Sequence, residues 1–310
     1  MLNITVRLIR YTEDAPRLVA LASKTSLSRK PLQQLLEIGE EEVDVWIKET
    51  FRRQHFSPWE HATYTFVIDG LSRIASHQLV RHRHASYTQM SHRYTEGYLR
   101  NLALEASRLT GGNCPEKPSG NKREVYACYA KAIEDALKTP SVEQARLASI
   151  AFVPPPAFLE EQDLLVRWAE SVLRSASDYY RLLSQGALRE DARYVLADSV
   201  RTRVVVTMNA RELVQVFLPL RMCTRAQWEI RFIAWAMWRE LVKVHPQLFK
   251  WAGPSCVYRE NTSRMEPVEL EKFLEGGEKF TIPRCPELVE NKAIPACLRI
   301  ASRVASFQFH

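Results

Sequence analysis

The 310-residue sequence has no apolar run near the roughly 20 residues that a membrane-spanning helix needs, and its opening, MLNITVRLIRYTEDAPRL, scatters charges among apolar side chains. Both absences argue against a membrane segment and a secretory leader, so a soluble chain that stays in the cytoplasm, without a membrane partner, is expected. Glycine is scarce. The ten glycines form neither a GxGxxG nor a Walker loop, which removes the two commonest phosphate-cradling loops. Six cysteines, Cys114, Cys128, Cys223, Cys256, Cys285 and Cys297, contain no CxxC pair. Their spread suits reduced thiols in a large intracellular protein and gives no support to a structural zinc. HExxH is absent, and so are internal repeats and low-complexity tracts.

What is present is unevenly placed. Hydrophobic residues at 46% and charged residues at 25% match an ordinary globular protein, but the net charge of +7 is concentrated. Residues 71–100 hold Arg73, Arg81, Arg83, Arg93 and Arg100 against Glu96 alone, and six of the eight histidines (His55, His61, His77, His82, His84, His92) fall between 55 and 92. A solvated polar surface is the plainest explanation of any one of these histidines; clustered with arginines that repel one another, they call for an anion. A metal cation is disfavoured because Arg81 and Arg83 flank His82. Within RHRHASYTQMSHRY, residues 81–94, guanidinium forks match phosphate oxygens two at a time, and Ser86 and Ser91 add hydroxyl donors. A small phosphorylated ligand fits better than nucleic acid, the rival anion, because the charge is confined to one segment and no nucleic-acid module is recognisable.

The periodicities place this segment. Ile4, Val6 and Leu8 alternate with polar residues as in a half-buried strand; helical stretches follow around 15–23 and 30–38, and Val43, Trp46, Ile47 and Phe51 have helical spacing. HATYTFVID reads as a second strand and LSRIASHQLVR as a helix, at whose end the arginine-histidine segment begins. KREVYACYAKAIEDAL and SVEQARLASIAF read as helices of a separate helical piece at about 100–150, 159–185 as a long amphipathic helix, LREDARYVLA as the start of another, and VRTRVVVTMN as a strand. Residues 210–244 are mostly helical, interrupted at Pro219. The expectation is an α+β fold with a central mixed or antiparallel sheet flanked by long helices, in one domain with a helical insertion at about 100–150 and a C-terminal extension, about 255–310, to which no function attaches.

Arg81, His82, Arg83, Ser86, Ser91 and Arg93 fill the pattern RHRxxSxxxxSxR, which resembles the signature of the flavin-dependent thymidylate synthases. Three further segments are similar to that family: HFSPWEHATYTF (55–66), REDARYVL (189–196) and NARELVQVFLPLRMCTRAQWEIR (209–231). The resemblance covers about 1–100 and 150–250. It implies reductive methylation of dUMP to dTMP, with methylenetetrahydrofolate as carbon donor, NADPH as electron source and FAD as hydride carrier, in a homotetramer with sites at subunit interfaces. It implies nucleotide-binding roles for Gln78, Arg81, Gln89, Ser91, His92, Arg93, Arg193 and Arg221. Flavin-site roles fall to His55, Ser57, Glu60, Arg81, His82, Arg83, Asn209, Arg211, Gln215 and Arg225, with His55 also near the folate and nicotinamide pocket. Arg221, Ser91 and His55 are the candidates closest to the chemistry: Arg221 for electrostatic stabilisation of the pyrimidine, Ser91 as a hydrogen-bond donor, since no base is evident that would make it a nucleophile. The pattern departs from the family at His77, Thr88, Gln89 and Ala197. It also carries one extra residue between Asn209 and Arg221, which would turn a regular helix by about 100° and therefore calls for a bulge or kink near Pro219.

Overall fold

Strands form where apolar and polar residues alternate. The computed structural model describes residues 3–117 and 120–304, and these contain a four-stranded antiparallel sheet of β1 (Thr5–Tyr11), β2 (Thr63–Ser72), β3 (Ala85–Gln89) and β4 (Arg201–Asn209) in the spatial order β1-β2-β4-β3. The longer helices are α1 (Ala15–Thr25), α2 (Glu40–Arg52), α3 (Arg73–Leu79), α4 (Gly97–Leu109), α5 (Lys122–Ala136), α6 (Ser141–Ala151), α7 (Gln162–Ser184), α8 (Trp228–Val244), α9 (Ser255–Ser263) and α10 (Ile294–Arg303). The α+β expectation holds, and the sheet is antiparallel throughout.

Register puts the apolar residues of neighbouring strands on one face. Tyr64, Phe66 and Ile68 of β2 lie opposite Met208, Val206 and Val204 of β4. All six are buried and share a core with Ile230, Ile233, Ala234, Met237 and Leu241, the apolar stripe of α8. Each large apolar side chain removed from water there contributes about 1.5–3 kcal/mol. Near the end of β2, where its register against β4 shifts between Asp69 and Leu71, lies Gly70, whose φ of +78° and close approach to the Asn3 carbonyl leave no room for a Cβ. Just beyond it Ser72 caps α3: its Oγ accepts from the Ala75 amide and donates to Glu229 of α8, which also accepts from the Ser72 amide at 2.6 Å. Burial pushes the Glu229 carboxyl up, against the pull of those bonds and of Arg201. Helix α3 is thereby fixed at its start.

A second apolar core joins α4, α5, α6 and α7 through Leu102, Tyr129, Ile133, Leu147, Leu173 and Tyr180. It also corrects the expectation of six reduced thiols, because Cys114 and Cys128 form a disulfide, their Cα atoms 5.8 Å apart. The loop after α4 is folded onto α5: the Cys114 amide donates to Ser107 Oγ, and Tyr129 donates to the Pro115 carbonyl. A separation of 14 residues carries no sequence signature, so only this packing reveals the pair.

The extra residue before Arg221 is absorbed as expected. Asn209 caps the segment by accepting from the Glu212 amide at 2.8 Å; Ala210–Glu212 is α-helical, Leu213–Phe217 forms a π-helical turn, and Leu218–Arg221 is α-helical again. Pro219 has no N–H for the carbonyl four residues back, and the wider turn accommodates both that gap and the added residue. The C-terminal stretch contributes Phe273, Phe280, Ile282, Ile294 and Leu298 to the main core. Among the described residues no helix is long and apolar enough to cross a membrane.

Candidate active site

The β3–β4 ladder separates two groups of polar side chains. Gln89 pairs with Val204 at one end and Ala85 with Met208 at the other, about 14 Å apart at the usual rise per residue.

At the Gln89 end lies a cavity of about 690 Å³ whose polar lining includes Arg73, His77, Gln89, Ser91, His92 and Arg193, with Tyr194, Leu196 and Asp198 also on its wall. Arg73 and His77 sit four residues apart on α3 and so share a face. Gln89 is oriented by donating to Ser76 Oγ at 2.9 Å. Ser91 Oγ accepts from the Arg93 amide at 3.3 Å, which leaves its own O–H available. His92 Nε2 lies 3.2 Å from the Arg201 carbonyl, so Nε2 carries the proton and Nδ1 is an acceptor. Burial, then the charges of Arg73 and Arg193, hold His92 below the usual histidine value despite that bond. Arg73 is likewise lowered by burial and by Arg193, with Asp198 opposing. Two guanidiniums and a neutral imidazole against one carboxylate leave the cavity with a cationic excess.

At the Ala85 end the arginine-histidine turn is tied down by Tyr87, whose hydroxyl donates to the carbonyls of Leu79 and His82, both at 2.8 Å. Burial raises the Tyr87 phenol well above its usual value, so it remains a donor. His82 is buried, its Nδ1 2.9 Å from Glu212 Oε1 and its Nε2 accepting from Arg221 Nε at 2.9 Å. Arg221 Nη2 also reaches the Gln78 carbonyl at 3.3 Å. Nearby in the fold, where β2 begins opposite Asn209, Arg211 pairs with Glu60 and donates to Gln215 Oε1 at 2.9 Å. Gln215 in turn donates to the Tyr258 hydroxyl at 3.5 Å.

The family model described as "Thymidylate synthase complementing protein" matches residues 7–247. A flavin-dependent thymidylate synthase of Aeropyrum pernix is 63% identical over 308 residues, covering 98% of this chain and 95% of that protein. One of Sulfurisphaera tokodaii is 38% identical, covering 98% and 99%. In fold the chain is similar to the crystal structure of ThyX from Helicobacter pylori complexed with FAD and dUMP, with a TM-score of 0.55 at 24% identity over 80% of this chain and 99% of the other. It is also similar to the UMP/dUMP methylase PolB of Streptomyces cacaoi, with a TM-score of 0.55 at 21% identity over 80% and 93%.

The chain belongs to the flavin-dependent thymidylate synthase family. Membership bears out the resemblance read from the four segments, and with it the expectation of an FAD-dependent methyltransferase that makes dTMP from dUMP. The residues carried over from that family fall into distinct surroundings. Gln89, Ser91, His92 and Arg193 meet in the cavity. Gln78, His82 and Arg221 meet at the other end of the ladder, and Glu60, Arg211 and Gln215 form their own network. Arg81 and Arg83 are exposed and make no ion pair among the described residues, and Arg225 is exposed in the turn before α8. Arg93 lies outside the cavity lining, pairing with Glu190 at 3.2 Å. His55 and Ser57 are exposed, Ser57 as the first residue of the short helix Ser57–His61 and His55 on a cleft of about 220 Å³ that Trp46 also lines. Asn209 is occupied as a helix cap.

Sequence reasoning missed Arg73 and His77 as cavity-lining groups, although their spacing of four on the helix before the motif was a usable signal. Glu212 gave none, being 130 residues from the histidine it holds.

Proposed function

We propose that this chain binds the phosphate of dUMP in the cavity of Arg73, His92 and Arg193 and methylates the pyrimidine at C5, with methylenetetrahydrofolate as carbon donor and NADPH as reductant. The observation that carries the site is the cationic excess of that cavity: Arg73 and Arg193 line it together, both hold His92 down by their charge, and Asp198 is the one carboxylate in the lining. A dianionic phosphate relieves the repulsion and takes hydrogen bonds from the Ser91 hydroxyl and the guanidinium forks. Arg221, with Nε on His82 and Nη1 without a partner among the described residues, is suited to a pyrimidine carbonyl, where fixed positive charge stabilises the charge that develops at the ring.

The donor set at the Ala85 end fits FAD. Arg81 and Arg83 offer exposed guanidiniums to a diphosphate, and Glu60, Arg211 and Gln215 offer polar groups to ring and ribityl atoms. Bound FAD supplies the hydride that lets C5 be methylated without a cysteine adduct at C6. The protein's part is to orient the pyrimidine, exclude water and hold charge. Because the two donor sets of one chain lie at opposite ends of a strand pair, a site that stacks both rings draws on two copies of the chain. This supports the homotetramer with sites at subunit interfaces. The cations converge on a concave cavity instead of lining a surface stripe, which favours a small nucleotide over nucleic acid.

The test is turnover. Purified protein should be yellow, form dTMP from dUMP with methylenetetrahydrofolate and NADPH, and elute as a tetramer. Flavin-free protein that binds nucleic acid in a salt-dependent way contradicts the proposal.

A further inference from the structure

All four cysteines outside the disulfide, Cys223, Cys256, Cys285 and Cys297, line one small cavity of about 20 Å³. They arrive from four separate stretches: the turn after Arg221, the start of α9, the loop before α10, and α10 itself. Val289, Ile294 and Leu298 supply apolar walls.

Two of the thiols share a hydroxyl. Thr224 Oγ1 lies 3.1 Å from Cys297 Sγ, and the same side chain lowers its neighbour Cys223, which burial otherwise pushes up. Arg231 of α8 is within electrostatic reach of those two sulfurs and of no other cysteine that shifts it. Its Nη1 donates to the carbonyls of Thr224 at 3.0 Å and Ala226 at 3.4 Å, whereas its Nε is buried with no hydrogen-bond partner among the described residues. A buried donor without an acceptor is costly; thiolates at Cys223 and Cys297 act on this guanidinium by their charge, while Glu287, also on the cavity wall, pushes Cys223 up. The other two thiols are placed differently: Cys285 is buried, and burial pushes Cys256 up to about 12. Among the described residues no three His, Cys, Asp or Glu side chains are grouped so as to hold a metal ion, which leaves pairwise sulfur chemistry.

We propose that Cys223 and Cys297 are a dithiol that closes to a disulfide by exchange with a small-molecule disulfide, with Arg231 favouring the attacking thiolate. Cys297 thiolate attacks one sulfur of the reagent RSSR, forming a mixed disulfide and releasing RS⁻, which takes the Cys223 proton. Cys223 thiolate then attacks the Cys297 sulfur and expels the second RS⁻, which is protonated by the proton that Cys297 gave to solvent. Two protein thiols are oxidised and one reagent disulfide is reduced to two thiols. The bond ties α10 to the turn that follows Arg221.

The experiment incubates the full-length protein with glutathione disulfide, counts free thiols after denaturation and maps the bonds by peptide mass spectrometry. The four free thiols should fall by half, with Cys223 joined to Cys297. Cys223→Ser should stop at a glutathione adduct on Cys297, and Arg231→Met should slow the exchange by about tenfold. The serine variant is nearly isosteric, and a melting temperature equal to that of the reduced parent shows that it is folded. Four thiols remaining, a Cys256–Cys285 bond, or an adduct on the parent protein that never closes would each overturn the proposal.

Discussion

Arg221 donates its Nε–H to His82 Nε2 at 2.9 Å, while Nδ1 of the same buried ring lies 2.9 Å from Glu212 Oε1. Arginine can only donate, so Nε2 must accept, the ring proton sits on Nδ1, and Glu212 receives it. Glu212 thus orients, through His82, the guanidinium assigned to the pyrimidine. Glu212→Gln keeps an acceptor and should stay within about 1 kcal/mol of the parent, whereas Glu212→Leu orphans Nδ1–H and should cost roughly 1–3 kcal/mol. Steady-state kinetics should show the leucine variant losing kcat more than it raises KM for dUMP, with partial recovery in the glutamine variant. Equal kinetics in both would show that the ring needs no acceptor.

The π-helical turn at Leu213–Phe217 holds the extra residue, so removing one residue there should convert it to regular helix and leave Arg221 facing His82. Deleting Val216, which is partly exposed, should preserve folding and most activity. Inserting an alanine after Val216 instead turns Arg221 by about 100° and should lower kcat/KM by about 100-fold or more. Similar activity in both variants would mean that the register of Arg221 is set elsewhere.

His92 gives the stability a pH dependence of known sign. Burial, Arg73 and Arg193 hold it below its ordinary 6.5 in the folded chain, so below that pH the unfolded chain binds a proton that the native state refuses. Stability therefore falls as the pH drops through about 6.5 toward the depressed native value, and is flat above. Asp198, also on the cavity wall, acts by its charge on Arg73 and not on His92 itself. In urea unfolding between pH 7.5 and 5.5, about a unit either side of that ordinary value, His92→Asn should flatten the slope. A residual slope of the same sign is expected from His245, which burial also lowers. Dianionic dUMP should draw a proton into the cavity at the acid end, measurable as buffer-dependent binding heat. A steeper slope in the variant would reverse the assignment.

The disulfide across Cys114 and Cys128 closes a loop of 14 residues, for which chain entropy gives about 3 kcal/mol. Replacing both by alanine should lower the melting temperature of the α4–α7 helical body and leave the flavin content unchanged. An unaltered melting curve would mean that Tyr129, Ser107 and the apolar core hold that loop without the bond.

How much of this was legible varies with the range of the interactions. β1, β2, β4 and α2, α5, α6 and α7 follow from local periodicity, because each buries one face. β3 was missed: it is an edge strand whose residues, Ala85 to Gln89, are half-buried or exposed and mostly polar, so it has no apolar run to betray it. The bulge before Arg221 could be read from one surplus residue and Pro219, since helical register is a local count. His82 looked like one more member of an exposed cationic run, yet it is buried, and only Glu212, far along the chain, explains why. The disulfide and the four-thiol cavity are likewise products of tertiary packing.

The most direct test of phosphate binding in the Arg73–His92–Arg193 cavity is the affinity of Arg193→Ala for dUMP and for deoxyuridine, measured on protein of known flavin content. Loss of one bidentate guanidinium should weaken dUMP by about tenfold or more, leave deoxyuridine nearly unchanged and keep the flavin-to-protein ratio of the parent. Unaltered dUMP affinity together with lost flavin would assign the cavity to the cofactor and contradict this placement of the substrate.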